Sequence, residues 1–473
     1  MGSLSGKRGA PHTGQEGQGA FQDSSGKAGS FNAWEVFAPV SRFCAKVEDP
    51  SSIMDLLPRA IAAAQADPKG PAVLLLPKDV QQGLVAVREP ALVPTAPVVR
   101  ADTVARDRAV AALQAATGVL IIAGEGVAAA HARDELAELA QRLGAWVAVA
   151  PDAKDVFDNR DPRFVGVAGV MGHANVEDCL RRADVCLLVG TRLPAMARGG
   201  LDDALATTLV IGIGPELPFV SSIALGGDLG DTLRSVIDRL EARPRPCLGH
   251  AGPRPLTVPT ASPGGRSYAE AVAAVEAALP EYAHVFVDAG NAGATAIHLL
   301  PAPRRGRFVV AVGMGGMGYT FGAGLGAAMA TGQRTYVLAG DGAFFMHGME
   351  VHTALEYNAP VTFVIFNNNA HAMCATREQL FYGDAYSYNQ FRPADIAAGV
   401  AATFPTLAVT HAANSGQLQQ ALLRSNTTDS PAFVAMDFHP DEIPPFLPFL
   451  AALDQEPTES EVTFRERRRI HVG

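Results

Sequence analysis

The chain has 473 residues, 48% hydrophobic and only 18% charged, with Lys+Arg 38 against Asp+Glu 48 and a formal net charge of −10. This composition excludes a disordered chain, a general nucleic-acid-binding surface is not expected, and the length predicts about three domains at roughly 150 residues each. An anionic ligand stays open, because backbone N–H groups and a cation bind phosphate without basic side chains.

Five cysteines (Cys44, Cys179, Cys186, Cys247, Cys374) fit neither a disulfide framework nor a zinc spacing, and read as reduced, mostly buried thiols. Residues 1–30 are Gly/Ser/Gln-rich and lack the apolar core of a signal peptide, so a cytoplasmic protein is expected. Residues 308–333 are uncharged, but their eight glycines divide them into a strand, a turn and a small-residue helix and argue against a membrane span.

In chain order, residues 1–86 end in the apolar run Gly70-Pro-Ala-Val-Leu-Leu-Leu-Pro77, a short strand. Residues 87–100, with Pro90, Pro94 and Pro97, predict an extended linker. Residues 101–242 alternate strands at 118–123, 146–150, 185–189 and 209–213 with helical patterns such as 128–142. A second Pro/Gly-rich joint covers 244–265. Residues 266–440 alternate again: helix 268–278, strands 285–287 and 308–312, helix 322–330, strand 335–338, helix 346–357, strand 361–366. Strands separated by helices predict right-handed βαβ units, and so an α/β fold of three-layer α/β/α domains with parallel sheets. The tail, 441–473, carries Pro444-Pro-Phe-Leu-Pro-Phe449, expected to pack along a neighbouring domain, and the solvated charge run Arg465-Glu-Arg-Arg-Arg469.

Two motifs compete for the chemistry. Gly313-Met-Gly-Gly-Met-Gly318 follows a strand and opens a helix, and Asp341 ends the next strand. That is the dinucleotide fingerprint, and it makes an NAD-dependent oxidoreductase one reading. The second motif is more specific. Gly340-Asp341-Gly342 closes strand 335–338, and Asn368, within Asn367-Asn368-Asn369, closes strand 361–366, with one helix between them. A carboxylate and an amide oxygen then converge at the carboxyl ends of one βαβ unit, a hard-oxygen set suited to Mg²⁺ or Ca²⁺. Gly342 and Ala343 open the following helix towards a phosphate. As plain structure, Asp341 caps that helix and Asn368 makes a turn.

This arrangement resembles the signature of the thiamine-diphosphate-dependent enzymes, a Gly-Asp-Gly followed some two dozen residues later by Asn-Asn. Gly315-Gly-Met-Gly-Tyr319 looks like the family's preceding loop, Asp288-Ala-Gly-Asn291 like its diphosphate-side turn, and Phe37-Ala-Pro-Val-Ser-Arg42 with residues 71–80 like the end of its N-terminal pyrimidine-binding domain. The nearest subgroup looks like the acetolactate-synthase-like carboligases and decarboxylases. The resemblance implies thiamine diphosphate with Mg²⁺, the metal held by Asp341, the Asn368 side chain and the Ala370 carbonyl. Asn291, Gly315, Gly316, Gly340, Gly342, Ala343, Ala372 and Met373 would border the cofactor, and Met317 would bend it. The implied reaction is decarboxylation of a 2-oxo acid such as pyruvate with transfer of the acyl unit, in a homodimer or homotetramer with no nucleic-acid or membrane partner.

Departures qualify the resemblance. Ala372 stands where relatives carry glycine, which narrows the site. His371 beside it is a candidate proton donor or acceptor to a substrate carbonyl. His347 and His352 around Glu350 have the wrong spacing for paired zinc ligands and read as helix surface. The central segment has Val210-Ile-Gly-Ile-Gly214 where relatives tend to carry acidic residues, so no redox dinucleotide is expected there, although FAD in that segment stays open. The first half of the pyrimidine-binding domain, with the glutamate that activates the cofactor, is not recognisable. Glu16 is the one acid before residue 20, and Phe21 and Gln22 are where familiar sequence begins, with Gln22 a candidate wall residue of catalytic importance. An impaired truncated homologue, or a non-catalytic cofactor-binding subunit, is therefore an alternative to an active enzyme, as are a misassigned start and a site completed by a partner.

Overall fold

The computed structural model of the chain describes residues 24, 26, 29–66, 69–87, 102–241, 244–250, 252–259, 266–310, 312–382 and 388–454. Residues 88–100 of the linker expected at 87–100, and the Arg-rich run 465–469, lie outside these. Two compact units divide the chain, Met1–Val99 and Arg100–Gly473.

In the first unit, β1 (Phe43–Lys46) and β2 (Ala72–Leu75) pair in parallel through the crossover helix Ile53–Gln65. β2 is the strand expected within 70–77. Both strands are only half-buried, and Trp34, Val40, Ile61 and Leu84 remain exposed.

The second unit holds two six-stranded parallel sheets. The first contains β3 (Val119–Ala123), β4 (Trp146–Val149), β5 (Phe164–Val167), β6 (Val185–Val189), β7 (Leu209–Ile213) and β8 (Ile223–Leu225), in the order β5-β4-β3-β6-β7-β8. The second contains β9 (His284–Val287), β10 (Phe308–Val310), β11 (Thr335–Gly340), β12 (Val361–Asn367), β13 (Ala408–His411) and β14 (Ala432–Asp437), in the order β10-β9-β11-β12-β14-β13. The fold is therefore three-layer α/β/α. Every residue of β3, β6 and β12 is buried, which is why these runs read as continuous apolar stretches: a parallel sheet is covered on both faces. β5, β8, β13 and β14 were not legible. β8 is three residues long, β5 carries Gly166 at φ 121, and β13 is an edge strand with no fully buried residue.

Two expected helices are broken. In place of 128–142 there are Gly126–Ala129 and Arg133–Leu143, separated where His131 takes φ 54 and the N–H of Ala132 donates back to the Val127 carbonyl at 2.9 Å. That is a Schellman stop, which hydrophobic period cannot reveal. In place of 346–357 there are Asp341–His347 and Glu350–Glu356, so two helices connect β11 to β12. The break is at Gly348, where a Cβ would stand 2.2 Å from the Phe344 ring.

The first sheet reverses its strand order between β3 and β6, the crevice where doubly wound sheets take nucleotides. Here the Gly126 N–H donates to the Gly190 carbonyl at 3.0 Å, and a Cβ on Gly124 or Gly126 would meet the Gly190 carbonyl oxygen within 2.7 Å.

The two sheets are tied by polar groups. His173 and His298 stack with ring centroids 4.3 Å apart, His298 Nε2 accepting the Leu256 N–H and Nδ1 donating to the Met171 carbonyl. Burial pushes His298 down to about 4 and His173 to about 3, and Lys154 facing the pair repels a further charge. A histidine whose folded value lies below its ordinary 6.5 contributes stability that is complete above that pH and lost as the pH falls towards about 4. His298→Gln keeps a donor and an acceptor but does not titrate. Urea midpoints followed from neutral pH downward should show the unmodified chain losing about 3 kcal/mol more than this variant; parallel curves would rule the linkage out.

The tail helix Leu447–Leu453 packs with Phe449 buried, and the Leu447 N–H donates to the Val170 carbonyl at 2.8 Å. All five cysteines are free, but only Cys179 and Cys186 are buried and Cys247 is exposed, so the expectation of mostly buried thiols is corrected. Among the described residues no helix is long and apolar enough to cross a membrane.

Candidate functional site

β11 and β12 are hydrogen-bonded neighbours, with Gly340 opposite Phe366, so Asp341 and Asn368 emerge side by side at their carboxyl ends. Asp341 Oδ2 and Asn368 Oδ1 accept the same N–H, that of Ala370, at 3.1 and 3.0 Å. A carboxylate and an amide oxygen thus converge on one point. Asn367 and Asn369 are otherwise engaged. Asn367 Nδ2 donates to Asp437, and Asn369, at φ 54, accepts the Ala394 N–H. Asp341 is 1% exposed, and burial pushes it up to about 6 against the opposing N–H groups of Gly342, Ala370 and Asn369.

Above this floor lies a cavity of about 350 Å³, within the size range of small-ligand sites. Asn291, Gly315, Met317 and Gly340 are on its wall, as are Gly342, Ala343, Ala370, His371, Ala372 and Met373. Gly316 is not, although a Cβ there would meet open space, as it would at Gly290, Gly313 and Gly315. His371 lies edge-on to Phe391 with centroids 4.7 Å apart, and a Cβ on Gly342 would stand 2.6 Å from its ring, so Gly342 makes room for it. Met317 is half-buried against the core of the second sheet while lining the cavity, so its packing role and its wall role coexist. Gln22, with Glu16 and Phe21, lies outside the described residues.

The dinucleotide reading fails on two observations. The Gly318 N–H, at the start of helix Tyr319–Thr331, donates to both carboxylate oxygens of Asp288 at 3.0 Å, and the Thr320 hydroxyl donates to the same group. The helix end that would receive a pyrophosphate is already engaged. Moreover β9 lies between β10 and β11, whereas the fingerprint needs its acid on the strand beside the glycine turn. His347 packs against Gly318 and His352 pairs with Glu356 at 3.7 Å, so neither marks a metal centre.

The sequence reading missed several wall residues. Tyr268 is fully buried, stacks on Phe438 with centroids 4.3 Å apart, and accepts a hydrogen bond from Asn368 Nδ2 at 2.7 Å. Among the described residues Arg377 is the one Lys or Arg on the wall, one helical turn after Met373. Met171 comes from the loop after β5, Met196 from the short helix Ala195–Arg198 after β6, and Phe446 from the tail. No local pattern announces Tyr268, Met171, Met196 or Phe446, because each reaches the cavity from a distant element.

The residues present fit a diphosphate cofactor with a hard cation. Asn291 Oδ1 is buried without a partner, and the glycines leave room for a ligand against the backbone. No group of three His, Cys, Asp or Glu side chains among the described residues could hold a metal alone, so a cation here would depend on oxygens brought by its ligand, the usual habit of Mg²⁺.

Comparison with known proteins agrees. The model of the thiamine pyrophosphate enzyme C-terminal TPP binding domain matches residues 288–436, and that of the thiamine pyrophosphate enzyme central domain matches 106–235, together more than half of the chain. The chain belongs to the thiamine pyrophosphate enzyme family. It is 28% identical over 394 residues to the acetolactate synthase large subunit of Parasynechococcus marenigrum, covering 78% of this chain and 62% of the relative. It is 28% identical over 408 residues to the sulfoacetaldehyde acetyltransferase of Rhodobacter capsulatus, covering 78% of this chain and 68% of the relative. The chain thus spans roughly two thirds of their length. Benzoylformate decarboxylase from Polynucleobacter necessarius shares the fold, with a TM-score of 0.73 at 18% identity over 88% of this chain and 79% of that one.

Proposed function

We propose that the chain uses thiamine diphosphate and Mg²⁺ to decarboxylate a 2-oxo acid such as pyruvate and transfer the acyl unit to an acceptor. The observation that carries this reading is the convergence of Asp341 and Asn368 on the Ala370 N–H at the floor of a glycine-bordered cavity. Asp341, Asn368 Oδ1 and the Ala370 carbonyl would hold the cation, and Asn291 would receive a cofactor donor. When bound, the cofactor supplies the nucleophilic carbon and the electron sink of the reaction. Met171, Met196 and Phe446 keep the wall apolar and exclude water. His371, beside the floor, would exchange a proton with a substrate carbonyl, and Arg377 supports an anionic substrate. In this reading two or four copies assemble; exposed Met314 and Met349 support an apolar contact face.

Calorimetry tests the reading. Thiamine diphosphate should bind in the presence of Mg²⁺ and only weakly without it, and NADH should not bind. Absence of thiamine diphosphate binding sinks the proposal. Binding without consumption of pyruvate, or of any other 2-oxo acid supplied with an acceptor, would instead identify a non-catalytic cofactor-binding subunit.

A further inference from the structure

We propose that Tyr268 is a positioning residue for the cation site: its hydroxyl satisfies the buried NH₂ of Asn368, so that the amide keeps its oxygen turned towards Asp341. The inference rests on the thiamine-diphosphate reading and concerns a residue that no motif contains.

An asparagine amide has two ends of nearly equal size and opposite hydrogen-bonding character, so burial alone does not orient it. Here the Ala370 N–H selects the oxygen, at 3.0 Å from Asn368 Oδ1. The nitrogen is then directed into the protein, where Asn368 is 5% exposed, and the Tyr268 hydroxyl accepts from it at 2.7 Å. Without that acceptor the NH₂ is buried unpaired, which costs about 1–3 kcal/mol, and rotation of the amide would relieve the cost by withdrawing the oxygen from the cation point.

Tyr268 is itself held on three sides. Its ring stacks on Phe438 at 4.3 Å and on Phe366 at 5.8 Å, and its N–H donates to Glu442 Oε1 at 2.9 Å. Phe366 lies two residues before Asn368 on β12, so the strand that presents the amide also packs the ring that orients it. Groups one bond removed from a ligand typically account for about 10–100-fold in metal affinity.

The test is a double-mutant cycle in the full chain, read by Mg²⁺ titration calorimetry at saturating thiamine diphosphate. Tyr268→Phe keeps the ring and its stacking, and a single cooperative melting transition without cofactor checks that the fold is intact. It should weaken Mg²⁺ affinity about tenfold. Asn368→Asp presents an oxygen at either end and has no NH₂ to satisfy, so in that background Tyr268→Phe should cost less than about twofold. Equal losses in both backgrounds would make Tyr268 a packing residue, and no loss in either would remove its role altogether. If the unmodified chain binds no thiamine diphosphate, the cofactor reading falls together with this one; if it binds and the cycle shows no coupling, only the role of Tyr268 falls.

Discussion

Asp341→Ala should abolish Mg²⁺-dependent binding of thiamine diphosphate, a loss well beyond the roughly 100-fold that an outer-shell partner costs. Asp341 is the carboxylate at the convergence point, and among the described residues no cluster of ligating side chains could replace it. The same variant should leave the cofactor-free protein no less stable. Burial pushes Asp341 up to about 6, so its charged form is a burden on the empty site, and Asn368 Oδ1 still accepts the Ala370 N–H once the carboxylate is gone. Affinity lost with fold stability kept is the pattern of a functional residue that costs stability. Calorimetric titration measures the first quantity and a melting curve without cofactor the second. Affinity retained within about tenfold of the unmodified chain would place the cation elsewhere.

Lys154→Met should destabilise the second unit by about 3 kcal/mol, read as a shift in the denaturant midpoint. Lys154 is 2% exposed, and Nζ donates to the carbonyls of Ile297 and Leu300 at 2.6 Å and of Ala296 at 3.4 Å. The Ile297 and Leu300 carbonyls lie at the C-terminal end of helix Asn291–Leu299, past its own donors, whereas the Ala296 carbonyl also accepts the Leu300 N–H. Burial pushes Lys154 down to about 7, while three carbonyl oxygens at the negative end of a helix favour the ammonium. The opposition is why the expected loss is about 3 kcal/mol and not the sum of three charged hydrogen bonds. Methionine fills the space of the stem but takes the Lys154 donor from the Ile297 and Leu300 carbonyls. A cost below about 1 kcal/mol would show that water reaches them.

The sequence made the long apolar strands legible because a parallel sheet buries both faces, and β6 and β7 begin and end where their hydrophobic runs do. It also revealed the floor of the cavity, since Gly340-Asp341-Gly342 and Asn367-Asn368 close two adjacent strands. It also singled out Asn368 among three asparagines, but by the resemblance alone. The physical reason is tertiary: Asn367 pairs with Asp437 and Asn369 turns at positive φ. The glycine fingerprint stayed ambiguous in the sequence because its spacing is shared by two chemistries. What separates them is the strand inserted between β10 and β11 and the carboxylate of Asp288 on the Gly318 N–H, and both come from a segment that precedes the motif. Tyr268 was invisible for the same reason, since it lies 100 residues from the amide it satisfies.

Helix Asn291–Leu299 behaves as a rod clamped at both ends. Asn291 Nδ2 donates to the Glu442 carbonyl at one end, and Lys154 grips the other, a span of roughly 13 Å at 1.5 Å per residue. Such a rod can neither slide along its axis nor turn about it, so the depth at which Asn291 enters the cavity is gauged by a lysine that never approaches the ligand.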